Sequence, residues 1–259
     1  MTPQGHTIEA LKQAPVELLN GAASGPVLLV CEHASNSFPE EYGTLGLSAS
    51  AQVSHIAWDP GALAVARHMA AVMDAKLVAG TVSRLIYDCN RPPEASGAMP
   101  AKSELFVIPG NASLTAAQRQ QRVDGVYNPF SDMLAGTIAE ATLPPVLVTI
   151  HSFTKTYHGK DRPVEVGILH DTDARLADAM LALAPEHTKL RVERNEPYGP
   201  EDGVTHTLKL HALPRGLLNV MIEVRNDLLT TTEAQQKIAA MLVGLIEAAL
   251  VIAKGQSNA

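Results

Sequence analysis

The chain has 259 residues, of which 46% are hydrophobic and 18% charged, and its net charge is −7. This balance belongs to a folded protein and excludes a disordered one. Without a block of Lys and Arg it also excludes a nucleic-acid or anionic-membrane surface, either of which needs a basic stripe.

The first 25 residues lack a basic segment followed by a continuous apolar run, so no signal peptide is expected and a cytoplasmic location follows by default. No repeat or linker divides the chain, and one domain over 1–259 is expected, with its core at about 26–250. Short aliphatic runs at 26–31, 76–79, 83–88, 146–150, 164–169 and 219–224 read as strands buried on both faces. Between them lie helical stretches. Asp59-Pro60 opens one that runs to about 74, with Asp as N-cap and Pro at the first helical position. Others cover 115–140, interrupted by Pro129, then 173–184 and 232–253. The segment 91–114, rich in Pro, Gly, Ala and Ser, reads as a long functional loop. The apolar stretch 238–253 carries Glu247 and falls short of the ~20 residues a bilayer requires, so a buried C-terminal helix is expected there. Strands alternating with helices predict the α/β class, as a single three-layer domain with a mostly parallel mixed sheet flanked by helices. Cys31 and Cys89 are too few for a disulfide scaffold or a thiolate metal site, and both read as core.

Polar residues fall where the apolar runs end. One run leads directly into Glu32-His33, another into His151-Ser152, a third reaches Glu223, and 83–88 leads to Asn90-Arg91. Ligands of open α/β sheets bind beyond the carboxyl ends of strands, so these groups share one edge. His33 and His151 are candidate metal ligands with Asp59 as the carboxylate partner, a His/carboxylate/His set suited to hydrolytic zinc. Glu32 is the alternative carboxylate. It and His33 point to opposite faces unless the strand has ended before them. Glu223, in an apolar strand, is either a general base or the partner of Arg225 or Arg84 in a structural ion pair. Arg84, Asn90 and Arg91 suit a substrate carboxylate and a polarised carbonyl, with an Asp88–Arg91 ion pair as the structural alternative. His206 could face the site from the loop after 195–203. His6, His55, His68, His158, His170 and His187 read as surface or core residues. Ser152 lacks a GxSxG context and does not read as a nucleophile.

Five segments occur together and in order: Cys31-Glu32-His33-Ala34-Ser35-Asn36, Trp58-Asp59-Pro60-Gly61-Ala62, Ser83-Arg84 with Asp88-Cys89-Asn90-Arg91-Pro92-Pro93, His151-Ser152-Phe153, and Glu223-Val224-Arg225-Asn226-Asp227. With them the chain resembles the N-formylglutamate amidohydrolase family over roughly 26–250. The first motif reads Glu-His-Ala-Ser where the formylglutamate deformylase branch looks more like Pro-His-Ser-Gly, which places the chain nearer a divergent branch. The resemblance implies a zinc-exopeptidase-like fold, related to zinc carboxypeptidases and aspartoacylases, and a metallo-hydrolase acting on a small anionic N-acyl amino acid. It implies one zinc on His33 and His151, with Asp59 chosen as third ligand and Glu32 as the alternative because no HxxE spacing follows His33, and with Glu223 as base and Arg84 beside it in catalysis. Ser35, Asn90, Arg91, Ser152 and His206 would bind substrate. Alternative outcomes are a hydrolase of a different amide or peptide, or a silent binder of anionic metabolites.

Overall fold

Aliphatic runs without clean alternation become strands that are covered on both faces. The computed structural model describes residues 13–256. His6 and the rest of the first twelve residues, to which the signal-peptide expectation in part refers, lie outside the described residues, as do the last three. Seven strands form one sheet: β1 (Val16–Leu19), β2 (Val27–Cys31), β3 (Lys76–Gly80), β4 (Val146–Phe153), β5 (Val166–Leu169), β6 (Val192–Arg194) and β7 (Asn219–Arg225). Their order is β1-β3-β2-β4-β7-β5-β6. The central strands β3, β2, β4 and β7 are parallel, whereas β1 and β5 each run antiparallel to the neighbour they share with that group.

Among the described residues the longer helices are α1 (Ala62–Val72), α2 (Ala116–Arg122), α3 (Asn128–Ala139), α4 (Arg175–His187) and α5 (Thr232–Gln256), and a single turn of helix forms at Ala49–Gln52. Alternate strand residues separate two cores. Leu29, Val148, Ile150 and Ile222 pack with α1, α4 and α5, while Leu28, Val30, Leu147 and Met221 pack with α3 and with buried loop residues such as Leu85, Ile86 and Met99. The architecture is therefore three-layered α/β with a mostly parallel mixed sheet.

The structure departs from the sequence expectations at three places. Residues 83–88 form turns and no strand. Ser83 Oγ donates to the Ala57 carbonyl and Ile86 N–H to that of Ser83, so the segment's backbone groups are satisfied without a ladder. Its apolar side chains are buried all the same, which is why composition alone reads as a strand. Next, α5 spans 25 residues. It is long and apolar enough, by length and composition, to cross a membrane. Its inward face of Ile238, Leu242, Leu245, Ile246 and Ala249 is instead buried against the core that holds α1 and α4, with Glu247 exposed on the far side. Finally, Asp59 does not cap α1. The N-cap is Gly61 at φ 84°, and a Cβ added there would lie 2.5 Å from Leu229 Cβ. The glycine closes the helix entry and leaves the Asp59 carboxylate free to point elsewhere.

Gly61→Ala combines a left-handed φ with a steric overlap and should lower stability by about 2–3 kcal/mol in urea denaturation. His211 supplies a pH-dependent case. Burial, with help from the charge of Arg215, pushes its pKa down to about 4 from an ordinary 6.5. The unfolded chain therefore binds a proton between those values where the folded chain does not. Stability that is full above pH 6.5 is lost as the pH falls through this window. The drop in stability between pH 7 and 4.5 should be smaller in His211→Gln, by on the order of 1–3 kcal/mol.

Candidate metal centre

Parallel strands bring their carboxyl ends to one edge, and β2, β4 and β7 lie side by side there. His151 on β4 pairs in register with Glu223 on β7. Leu147 of β4 and Met221 of β7 belong to the loop-covered core, and His151 and Glu223 follow them at even spacing. The period of two therefore directs both side chains to that side. The third strand, β2, ends at Cys31, and Glu32 and His33 leave it as a turn. Freed from strand alternation, both residues approach His151. Asp59 is fixed beside them by its own backbone, whose N–H donates to the His33 carbonyl at 2.9 Å.

The result is a convergence of three atoms able to bind a metal. Asp59 Oδ2 lies 3.2 Å from His33 Nδ1 and 2.9 Å from His151 Nδ1, and the two Nδ1 atoms are 3.2 Å apart. One donor atom from each of these three buried residues falls within 4.8 Å of the others. Behind the rings, His33 Nε2 is 2.7 Å from Asp88 Oδ1, and His151 Nε2 is 3.1 Å from Glu32 Oε2. Carboxylates thus stand on both sides of each ring, and a metal on the two Nδ1 atoms would leave each Nε2 to carry its ring's proton toward Asp88 or Glu32. Two Nδ1 atoms and a carboxylate oxygen this close together need positive charge on or between them, as protons on the rings or as a bound cation. The donor set of two imidazoles and one carboxylate fits a zinc-type ion with an open position.

The surrounding charges agree. Burial works against the Asp59 and Asp88 charges, but His33 and Arg84 hold both carboxyls well below the usual range. Arg84 joins the pair, with Nη1 3.3 Å from Asp59 Oδ1 and Nη2 2.8 Å from Asp88 Oδ2. Burial and Arg84 oppose protonation of His33, yet Asp88 and Asp59 raise its pKa; Glu32 and Asp59 do the same for buried His151. These carboxylates favour any cation at the Nδ1 side.

A cavity of about 310 Å³ opens in front of the centre. His33, Asp59, Arg84, Asp88, Asn90, Arg91, His151, Ser152 and Glu223 all contribute to its wall. Glu223 is 4% exposed and its Oε2 has no hydrogen-bond partner; burial pushes its pKa up to about 7. Arg225, the neighbouring guanidinium on β7, pairs with Glu165 and Asp227 instead.

Other candidates are committed elsewhere. Ser35 Oγ accepts from Ser37 N–H within a turn, and Ser152 Oγ donates to the Pro60 carbonyl. His206 Nε2 meets the Tyr127 hydroxyl at 2.8 Å and is not part of the cavity wall. Asn90 accepts from Thr207 N–H and donates to the Val204 carbonyl, bracing that loop from the cavity wall. Arg91 Nη1 donates to the Asp202 carbonyl, and its Nε is 3.9 Å from Asp88, a longer contact than Asp88 makes with Arg84 or His33.

Sequence reasoning missed the cavity's opposite wall, where His55 Nε2 meets Glu104 Oε2 at 2.8 Å and Tyr157 and Tyr198 stand nearby. Nothing in the Pro-, Gly-, Ala- and Ser-rich composition of 91–114 singles out Glu104.

Arg84→Met would leave Asp59 and Asp88 facing each other with one guanidinium fewer. Breaking a buried pair costs roughly 3–5 kcal/mol. The Arg84 side chain is 29% exposed, so solvent screens part of that. A loss of about 2–3 kcal/mol in the metal-free protein is expected, read from urea midpoints at neutral pH.

Comparison with known proteins places this geometry in a family. The chain matches N-formylglutamate amidohydrolase over residues 25–230. A gene product of Agrobacterium tumefaciens of known structure is 59% identical, with 92% of this chain and 96% of that one covered and a TM-score of 0.90. N-formylglutamate amidohydrolase from Ralstonia eutropha has the same fold at 17% identity, with 94% and 100% covered and a TM-score of 0.65. Comparison with the curated proteins gives no match. With the family pattern covering most of its length, the chain belongs to the N-formylglutamate amidohydrolase family.

Proposed function

We propose that the protein hydrolyses the amide of an N-acylated acidic amino acid, with N-formyl-L-glutamate, cleaved to formate and L-glutamate, as the type substrate. The observation that carries this reading is the convergence of His33 Nδ1, Asp59 Oδ2 and His151 Nδ1 beside an unpaired buried carboxylate, Glu223, on one cavity wall. His33, Asp59 and His151 would hold one zinc ion. When bound, such an ion supplies a Lewis acid for the acyl carbonyl and makes water more acidic.

The protein groups divide the remaining work. Glu223, whose pKa of about 7 matches a base at neutral pH, takes the proton of the attacking water and returns it to the leaving nitrogen. That exchange leaves a free carboxylic acid and a free amine, with the proton count balanced. Arg84, on the same wall as the ligands, faces the charge that develops on the acyl oxygen. Arg91 and the remaining N–H of Asn90 hold the carboxylate of the substrate, which fixes the amide against the centre. Water exclusion follows from the position of the ligands, all of them under 4% exposed.

Two measurements test this. Protein purified without chelator should contain about one zinc per chain, and His33→Ala and His151→Ala should each lose it. A metal-free wild type that stays empty after incubation with zinc would overturn the reading. Glu223→Gln should keep its zinc and lose about 10²–10⁴-fold in kcat on N-formyl-L-glutamate, assayed beside a panel of N-acyl amino acids. Near-normal turnover in that variant would remove Glu223 from the base role.

A further inference from the structure

Glu32 has no place in the chemistry above, yet few carboxylates in the protein are buried as deeply. It is 2% exposed and directly follows β2. Its backbone is pressed against β3, where a Cβ added at Gly80 would lie 2.3 Å from the Glu32 carbonyl oxygen. Only glycine lets the two chains meet there, so Glu32 is fixed in place from below. Its Oε2 stands 3.1 Å from His151 Nε2. His151 Nε2 and both Glu32 carboxylate oxygens are buried without a well-aligned hydrogen bond, so the two groups meet as an ion pair by distance and charge. On the Glu32 side, Thr207 is the further polar neighbour, and His151 supplies the charge partner.

We propose that Glu32 is the positioning residue of His151: it holds the Nε2 proton, and so turns the Nδ1 lone pair toward Asp59 and His33. This rests on the reading of His33, Asp59 and His151 as a metal site. A histidine can offer Nδ1 to a metal only while Nε2 is protonated, and a carboxylate at Nε2 selects that tautomer and fixes the ring plane. His33 Nε2 is hydrogen-bonded to Asp88 at 2.7 Å, so two separate carboxylates stand behind the two rings, Asp88 the closer. The position of Glu32 also excludes it as the third ligand. It lies behind the His151 ring on the Nε2 side, whereas the three converging donor atoms belong to His33, Asp59 and His151.

Reach and charge can be separated by substitution. Glu32→Gln keeps an acceptor at the same distance without the charge, and Glu32→Asp keeps the charge but withdraws the acceptor by one methylene. The measurement is zinc affinity of the full-length protein, by competition with a chromogenic chelator. The visible spectrum of the cobalt-loaded forms is a second readout, and thermal midpoints of the metal-free forms check folding. Glu32→Asp should bind zinc about 10–100-fold more weakly with an altered cobalt spectrum, while Glu32→Gln stays within about 10-fold of wild type. Wild-type affinity and spectrum in Glu32→Asp would overturn the positioning role and leave the metal site standing. A wild type that binds neither ion would overturn the metal reading itself, and this inference with it.

Discussion

Two imidazole Nδ1 atoms and a carboxylate oxygen within 3.2 Å of one another need positive charge on or between them, and the arrangement around His33, Asp59 and His151 answers that constraint. Asp88 and Glu32 stand beside the far nitrogens, at 2.7 Å from His33 Nε2 and 3.1 Å from His151 Nε2. Arg84 keeps Asp59 and Asp88 ionised while drawing them toward itself. Low exposure strengthens each of these interactions, because little water is present to screen them. The same burial acts in the opposite direction on Glu223. Lacking a hydrogen-bonded partner at Oε2, it is driven toward its neutral form and so suits proton transfer near neutrality. Carboxylates that face a histidine or guanidinium are held in their charged form, while Glu223 is pushed toward its neutral one.

The fold prepares this cluster with few devices. Parallel β2, β4 and β7 deliver their ends to one edge, and the register of β4 with β7 sets His151 beside Glu223. Gly61, by capping α1 in a left-handed conformation, relieves Asp59 of the capping role its sequence context suggests. Had Asp59 capped the helix, its carboxylate would have been spent on backbone N–H groups and the set of donors would be incomplete. The turn at 83–88, held by Ser83 to Ala57, carries Arg84 and Asp88 to the two sides of the same carboxylate–imidazole pair.

Much of this is legible in the sequence, for a physical reason. A His or Glu at the end of an aliphatic run is costly to bury without a task, so His33, His151 and Glu223 stand out from residue order alone. Element type is equally legible at β2, β3, β4, β5 and β7, whose residues are almost all buried, and at α1, α3, α4 and α5, which carry an apolar face. The edge strands β1 and β6 are only partly buried and carry charged residues, so they lack the apolar run that marks the others, and a buried turn at 83–88 has the composition of a strand.

Hydrophobic period and the cost of buried charge act locally, and for that reason residue order already specifies the class of fold, the edge at which the chemistry gathers and the residue types available for it. The choice of partner belongs to three dimensions. Asp88 faces His33 more closely than it faces Arg91, Glu32 stands behind His151, and His206 is occupied by Tyr127. These contacts join segments far apart in the chain, 55 residues for His33 with Asp88 and 79 for Tyr127 with His206. Hydrogen bonds are short-ranged and directional, so their pairing is set by where the packed backbone puts each atom and by nothing that local pattern encodes.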